Sequence, residues 1–199
     1  GYQVFGIGQE DASNTHFVSQ GPGMIKIDNP GNTGNGKYML IGHDGKGKGG
    51  WTNTEVPNGS DNIQRVSREW KVDKQGGDIG SISLRADTTS LPLKPFGYSR
   101  YALMVDSDGD FTSGARVIEL TRDGNEFYST DNLDLNKGDY FTIATFRPAI
   151  DFVLSNSDGL ETITSYAVQL ETNVELADPI SVDYASSDGS SSANDTAEA

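Results

Sequence analysis

Cysteine is absent from the chain, which removes disulfides, thiol nucleophiles and thiolate metal sites together. Cations are scarce: 15 Lys and Arg stand against 29 Asp and Glu, a formal charge of −14. Nucleic-acid phosphates need clustered Lys and Arg, so this balance argues against a nucleic-acid partner. No run of ~18 apolar residues is present to span a bilayer as a helix, and no membrane insertion is expected. The only histidines are His16 and His43, too few for a His-based transition-metal site without carboxylates. No GxSxG elbow occurs, and none of the many carboxylate pairs is singled out for glycoside hydrolysis, so no catalytic residue is assigned and the chain is not read as an enzyme. In GHDGKGKGG (42–50), Gly42, Gly47 and Lys48 stand at P-loop spacing. Gly49, however, replaces the Ser or Thr that holds Mg²⁺, and no helix pattern follows, so the nucleotide reading fails.

Helical periodicity is missing too. Instead, 24 Gly and 7 Pro cut the 199 residues into short alternating segments, which indicates an all-β chain. The clearest strand is QRVSREWKVD, with Val66, Arg68, Trp70 and Val72 on a core face and Arg65, Ser67, Glu69 and Lys71 on a wet one. Arg68 on that core face requires a buried acidic partner, or else it reaches past the core edge to water. Further strands are KYMLI (37–41), DIGSISL (78–84), YALMVD (101–106), ARVIEL (115–120), EFYS (126–129), DYFTIATF (139–146) and TSYAVQLE (164–171). YALMV and YFTIATF are apolar on both faces and read as central strands covered on each side. DGN (123–125) and KGD (137–139) read as hairpin turns with Gly at positive φ. The expected architecture is an antiparallel β-sandwich with long loops.

Residues 19–36 and 42–62 are long irregular stretches, a length that usually signals a functional or mobile loop. After residue 172 the texture changes: ISVDY (180–184) reads as a strand, followed by a Ser, Asp and Ala tail that reads as disordered. The expected division is a ligand-binding sandwich over 1–172 and a linker, strand and tail over 173–199. With no signal-peptide pattern at its start, the chain is read as a piece of something longer.

The strongest local signal is VDSDGDF (105–111). Asp106, Asp108 and Asp110 alternate around Gly109, and three carboxylates so close favour a hard, oxygen-seeking cation such as Ca²⁺. Phe111 and Val117 occupy the positions where an EF-hand needs Gly and Glu, so that motif is excluded. Asp44 could add a backbone-plus-carboxylate ligand, and Gln9, Glu10 and Asp11 form a second polar cluster that could ligate a cation or cap a turn.

Taken in order, GIGQEDAS, YMLIGHDG, VSREWKVDKQGGDIGSISL, YALMVDSDGDF and DYFTIAT resemble the calcium-dependent peptide-binding domain of bacterial repeats-in-toxin adhesins, over roughly residues 3–150. PISVDYASSDGSSSA resembles the opening of a Calx-β-like repeat. This resemblance implies an extracellular, cell-surface module, monomeric within a tandem array, that serves adhesion and biofilm formation. It also implies that bound Ca²⁺ coordinates the C-terminal carboxylate of a peptide or protein on a host or microbial cell. The implied metal ligands are Asp106, Asp108, Asp110, Asp44, Asp11 and Gln9. The implied ligand contacts are His43, Asp44, Gly45 and Trp51, with Tyr98 a further specificity residue. A Ca²⁺-dependent lectin using Trp51 as a sugar platform and a structural extender module are the alternative readings.

Overall fold

A computed structural model describes residues 3–21, 24–124, 127–153 and 169–183. Among them the chain forms β1 (Val4–Asp11), β2 (Asn14–His16), β3 (Val18–Gln20), β4 (Ile25–Asp28), β5 (Lys37–His43), β6 (Trp51–Thr52), β7 (Ile63–Val66), β8 (Trp70–Gln75), β9 (Ile82–Asp87), β10 (Arg100–Asp106), β11 (Arg116–Asp123), β12 (Phe127–Leu133), β13 (Tyr140–Phe146) and the hairpin β14 (Ile150–Phe152) with β15 (Leu170–Thr172). One 3-10 turn covers Pro57–Gly59. The all-β antiparallel expectation holds. The first thirteen strands join in one sheet, ordered β2-β1-β5-β8-β13-β10-β11-β12-β9-β4-β3, with β7 beside β13 and β6 beside β7.

The sheet folds over itself at β11. Residues 116–120 of that strand pair with β10, and residues 121–123 pair with β12. The two halves then face each other, and the Gly6 N–H donates to Ser19 Oγ (3.3 Å) where β1 meets β3, so the sheet curls into a near-barrel. A main core fills it: Tyr101, Leu103, Val105, Phe141 and Ile143 point inward with Met39, Ile41, Val66, Trp70 and Val72. Trp70 stacks on Phe141 at 5.5 Å between centroids.

The alternate residues of the same central strands, Ala102, Met104, Ala144 and Phe146, are also buried, in a second cluster with Val56, Ile63, Phe111, Val117 and Val174. YALMV and YFTIATF are therefore covered on both faces, as their uninterrupted apolar character requires.

The 63–75 strand departs from its simple alternation. β7 and β8 both pair with β13, but Arg65 faces Ala144 while Trp70 faces Phe141, so four residues (66–69) stand opposite two (142–143). This bulge carries two extra residues and keeps Val66, Trp70 and Val72 in the main core. Arg68 lies within it at intermediate exposure, its Nε donating to the Lys46 carbonyl (2.8 Å) rather than to a buried acid. The buried arginine is Arg65, on the face expected to be wet, because the second cluster covers that face.

Other boundaries shift for similar reasons. The segment 19–36 contains β4, and DIGSISL forms a strand only from Ile82. Gly124 and Gly138 both have positive φ, as their turns require. KGD nevertheless makes no hairpin, since β12 pairs with β9 while β13 pairs with β10. Residues 180–183 of ISVDY are not in a strand. Most of TSYAVQLE and the Ser-rich tail lie outside the described residues. Val174 packs into the second cluster, and Glu175 exchanges backbone hydrogen bonds with Val117 and Glu119, so the chain just past 172 is seated on β11.

Candidate functional site

Register across the sheet collects distant segments on one rim. His43 is opposite Trp70, Trp70 is opposite Phe141, and Tyr140 is opposite Asp106, so the end of β5, the bulge before β8, the start of β13 and the end of β10 share one edge of the barrel. The sequence segments GHDGK, SRE and DSDGD thereby become neighbours.

At the β5 end, local hydrogen bonds turn the chain sharply. His43 Nδ1 accepts the Gly45 N–H (2.9 Å), and Asp44 Oδ1 accepts the N–H groups of Lys46 (3.0 Å) and Glu69 (3.3 Å). The Asp44 N–H donates back to the Glu69 carbonyl (3.0 Å), clasping loop to bulge. Lys46 Nζ lies 3.2 Å from Asp44 Oδ2 and 3.1 Å from Glu69 Oε1. Hydrogen bonding to Glu69 holds the Lys46 ammonium above its ordinary range. Asp44 Oδ2 is buried and, despite that ion pair, accepts no aligned hydrogen bond. Burial pushes the His43 imidazole below its usual value, and Arg68 adds to the effect. His43, Asp44, Glu69 and Lys71 line a cleft of about 260 Å³ with Gly42 and Tyr140. A larger groove of about 710 Å³ beside Val4 and Leu40 has three titratable residues in its lining, Lys71, Asp73 and Lys137, against five in the smaller cleft.

Arg65 ties the rim together from below. Its Nε donates to the Thr54 carbonyl (3.0 Å), Nη1 to the Val66 carbonyl (3.3 Å) and Glu69 Oε1 (3.1 Å), and Nη2 to Glu55. Its guanidinium also lies 5.2 Å from the Phe111 ring centroid, at the foot of the acidic loop.

That loop is built from three successive Asx turns. Asp106 Oδ1 accepts the N–H groups of Asp108 (2.8 Å) and Gly109 (3.1 Å), Asp108 Oδ1 that of Asp110 (2.8 Å), and Asp110 Oδ1 that of Thr112 (3.0 Å). Gly109 is required here: its φ is +90°, and a Cβ would stand 3.2 Å from the Tyr140 ring. Bonds from the Thr112 hydroxyl and N–H hold the Asp110 carboxyl below the usual carboxylate range. Asp106 is buried, whereas Asp108 and Asp110 face solvent. Lys71 donates to the Tyr140 hydroxyl (2.7 Å), placing a cation between cleft and acidic loop.

The six candidate metal ligands do not form one set. Three strand spacings, about 14 Å, separate the end of β5, which Asp44 follows, from the end of β10 at Asp106, beyond the reach of a single Ca²⁺ shell. Gln9 and Asp11 lie at the far end of β1, where Gln9 pairs with Lys37 while Val4 pairs with Gly42. Asp11 Oδ1 caps its hairpin by accepting the Ser13 and Asn14 N–H groups (2.7 and 2.9 Å), and Gln9 Nε2 donates to Asn35. Among the described residues, no three His, Asp or Glu side chains converge into a ready-made metal cluster. Trp51 is also remote from the acidic loop. Its ring is 6.2 Å from Tyr101, near the start of β10, and its Nε1 donates to the Leu93 carbonyl (3.0 Å). Tyr98 belongs to that same end, its hydroxyl donating to the Asp61 carbonyl.

Arg65, Glu69 and Thr142 are the rim residues that pattern reading misses. On an unbroken strand Arg65 and Glu69 would lie about 13 Å apart on one face; the bulge brings them into contact.

Residues 1–139 match the model of a family described as "Domain of unknown function (DUF8202)". The match ends immediately before the central strand β13. No curated protein and no solved structure matches the chain.

Proposed function

The chain belongs to the DUF8202 family, and from that premise we propose that it is a Ca²⁺-dependent binding module of a bacterial cell surface, without enzymatic activity, that captures peptide C-terminal carboxylates. The observation that carries the reading is the meeting on one rim of the cleft at His43, Asp44 and Glu69 with the carboxylates of Asp106, Asp108 and Asp110. Their chemistry fits a hard cation. In each Asx turn Oδ1 is committed to backbone N–H groups, leaving Oδ2 as a donor of the kind Ca²⁺ takes. Bound there, the ion would supply positive charge to attract a carboxylate on a protein whose own field is strongly negative. The chain's residues would shape the contact: Lys71 and the Tyr140 hydroxyl face the cleft, and the Asp44–Glu69 clasp holds its wall. The carbohydrate alternative loses support, because the Trp51 ring packs on Tyr101 instead of standing beside the acidic loop.

Calorimetric titration tests this reading, using calcium-loaded protein and matched peptides in free-acid and amidated form. Heat restricted to the free acids, abolished by chelator and by Asp108→Asn, is the expected result. Equal binding of amidated peptides, or no response to Ca²⁺ at all, overturns it.

A further inference from the structure

Inter-strand register sets the acidic loop and the larger groove on one row. Asp106 is opposite Tyr140, Tyr140 opposite Lys71, Lys71 opposite Gly42 and Gly42 opposite Val4, so β10, β13, β8, β5 and β1 each place one residue on it. All of these residues turn away from the main core, since their chain neighbours Val105, Phe141, Trp70, Ile41 and Phe5 pack in or against it. At about 4.8 Å per strand, Gly42 lies about 14 Å and Val4 about 19 Å from Asp106.

The cavities follow the same row. The cleft at His43 and the groove of about 710 Å³ share Gly42 and Lys71 in their linings, and the groove continues to Leu40 and Val4. Gly42 keeps the passage between them low: a Cβ there would meet only Val4 Cγ2 (3.4 Å) and the Gln3 carbonyl oxygen (3.9 Å). At the far end Val4 is 65% and Leu40 37% exposed, an apolar pair. Lys71 is exposed between the two cavities and, although the Tyr140 hydroxyl accepts its hydrogen bond, it has no carboxylate partner among the described residues. The acids around it are engaged elsewhere, Asp73 with Lys137 (3.0 Å), Glu69 with Arg65 (3.1 Å) and Asp44 with Lys46 (3.2 Å).

Resting on the proposed capture of a C-terminal carboxylate at the acidic loop, we infer that the groove receives the upstream part of the same peptide, with an acidic side chain at Lys71 and apolar side chains against Val4 and Leu40. Two observations select this occupant: the groove is continuous with the rim across Gly42, and the one uncompensated cation on the path complements an acidic residue. Length fixes the positions. An extended chain advances about 3.3 Å per residue, so a peptide anchored at Asp106 passes Lys71 with its third residue from the end and reaches Gly42 and Val4 with its fourth to sixth. Strand addition does not hold it, because β5 is paired on both sides and the peptide crosses the strands, so side chains carry the selectivity.

Calorimetric titration of the calcium-loaded full chain with the N-acetylated free-acid peptides ESA, GGGESA and VLLESA tests the inference. VLLESA is expected to bind about tenfold tighter than ESA through burial of its apolar side chains, and GGGESA no tighter than ESA. VLLQSA, which lacks the acidic residue, should bind several-fold more weakly than VLLESA. Leu40→Asp should bring VLLESA down to the affinity of ESA while ESA binding and the melting temperature stay as in wild type, since Leu40 is partly exposed and stands outside the rim; Val4→Asp, at a more exposed position, should do the same. A nitroxide on the N-terminus of VLLESA should broaden the amide NMR signals of Val4 and Leu40 before that of Asp108. Binding of ESA with no gain for VLLESA, or a gain that both variants leave intact, overturns the groove and keeps the rim. Silence from all the peptides overturns both. A gain that persists in C-terminally amidated VLLESA separates the groove from the rim and overturns the inference as well.

Discussion

Arg65 shows how one residue can hold a rim together. Its side chain is 4% exposed and satisfied by two carbonyls and two carboxylates; Glu69 is itself largely buried, and Glu55 is more exposed. Removing the guanidinium would leave Glu69 only its more exposed partner Lys46 and unpair Glu55, and breaking a buried pair from one side costs several kcal/mol. Arg65→Met is expected to lower stability in urea by about 3 kcal/mol, and Arg65→Lys to recover only part, since an ammonium cannot reproduce the planar fork. A loss within experimental error would show that solvent reaches the pair. Thr142 has a narrower role. Its hydroxyl lies 3.1 and 2.8 Å from the Val66 and Arg68 carbonyls and stabilises the bulge, so Thr142→Val should cost about 1–3 kcal/mol by denaturant titration.

His43 sets a pH dependence at the same scale. Its imidazole titrates below the ordinary value of about 6.5 because burial and Arg68 disfavour the charged form, and Nδ1 must stay unprotonated to accept the Gly45 N–H. The unfolded chain therefore binds the proton at a higher pH than the folded one. His43's stabilising contribution is present above the unfolded pKa and is lost as pH falls through the window down to the lowered folded value. Unfolding curves between pH 7 and 5 should show a shallower fall for His43→Gln than for wild type. Identical slopes would remove His43 as the titrating group.

Among the elements, the strands owe their placement to contacts between distant parts of the chain. The bulge at 66–69 lets one strand feed two cores, and it brings Arg65, Glu69 and Asp44 within hydrogen-bonding reach. The turn after β8 is as tightly constrained. Gly76 has φ +69°, and a Cβ there would lie 1.8 Å from the Gly36 carbonyl oxygen. Gly76→Ala is expected to cost about 2–3 kcal/mol, since both the backbone angle and the clash oppose it. Wild-type stability in that variant would mean that the 34–36 loop moves away freely.

For the whole molecule, charge and chain extent matter most. Like charges dominate at −14, so added NaCl should raise the melting temperature through screening, and Ca²⁺ should raise it further if it binds the folded state. The segment after β15 closes the second cluster with Val174 and pairs Glu175 with Arg116 (3.1 Å). Ending the chain at residue 172 should therefore destabilise it by about 2 kcal/mol relative to an end at 183. Equal melting temperatures for the two lengths would show that β11 needs no such cover.

Local sequence by itself determined the strand-rich, antiparallel character, the doubly buried YALMV and YFTIATF, the positive-φ glycines and the Asp-Gly bend at 106–110. Each follows from side-chain alternation or backbone sterics within a few residues. Only the tertiary structure decided that Arg65 rather than Arg68 is buried, that Gln9 and Asp11 stand apart from Asp44, and that Asp106, Tyr140, Lys71, Gly42 and Val4 align across the sheet. Those outcomes depend on inter-strand register and on which faces a second layer covers, quantities set by pairing between residues dozens of positions apart.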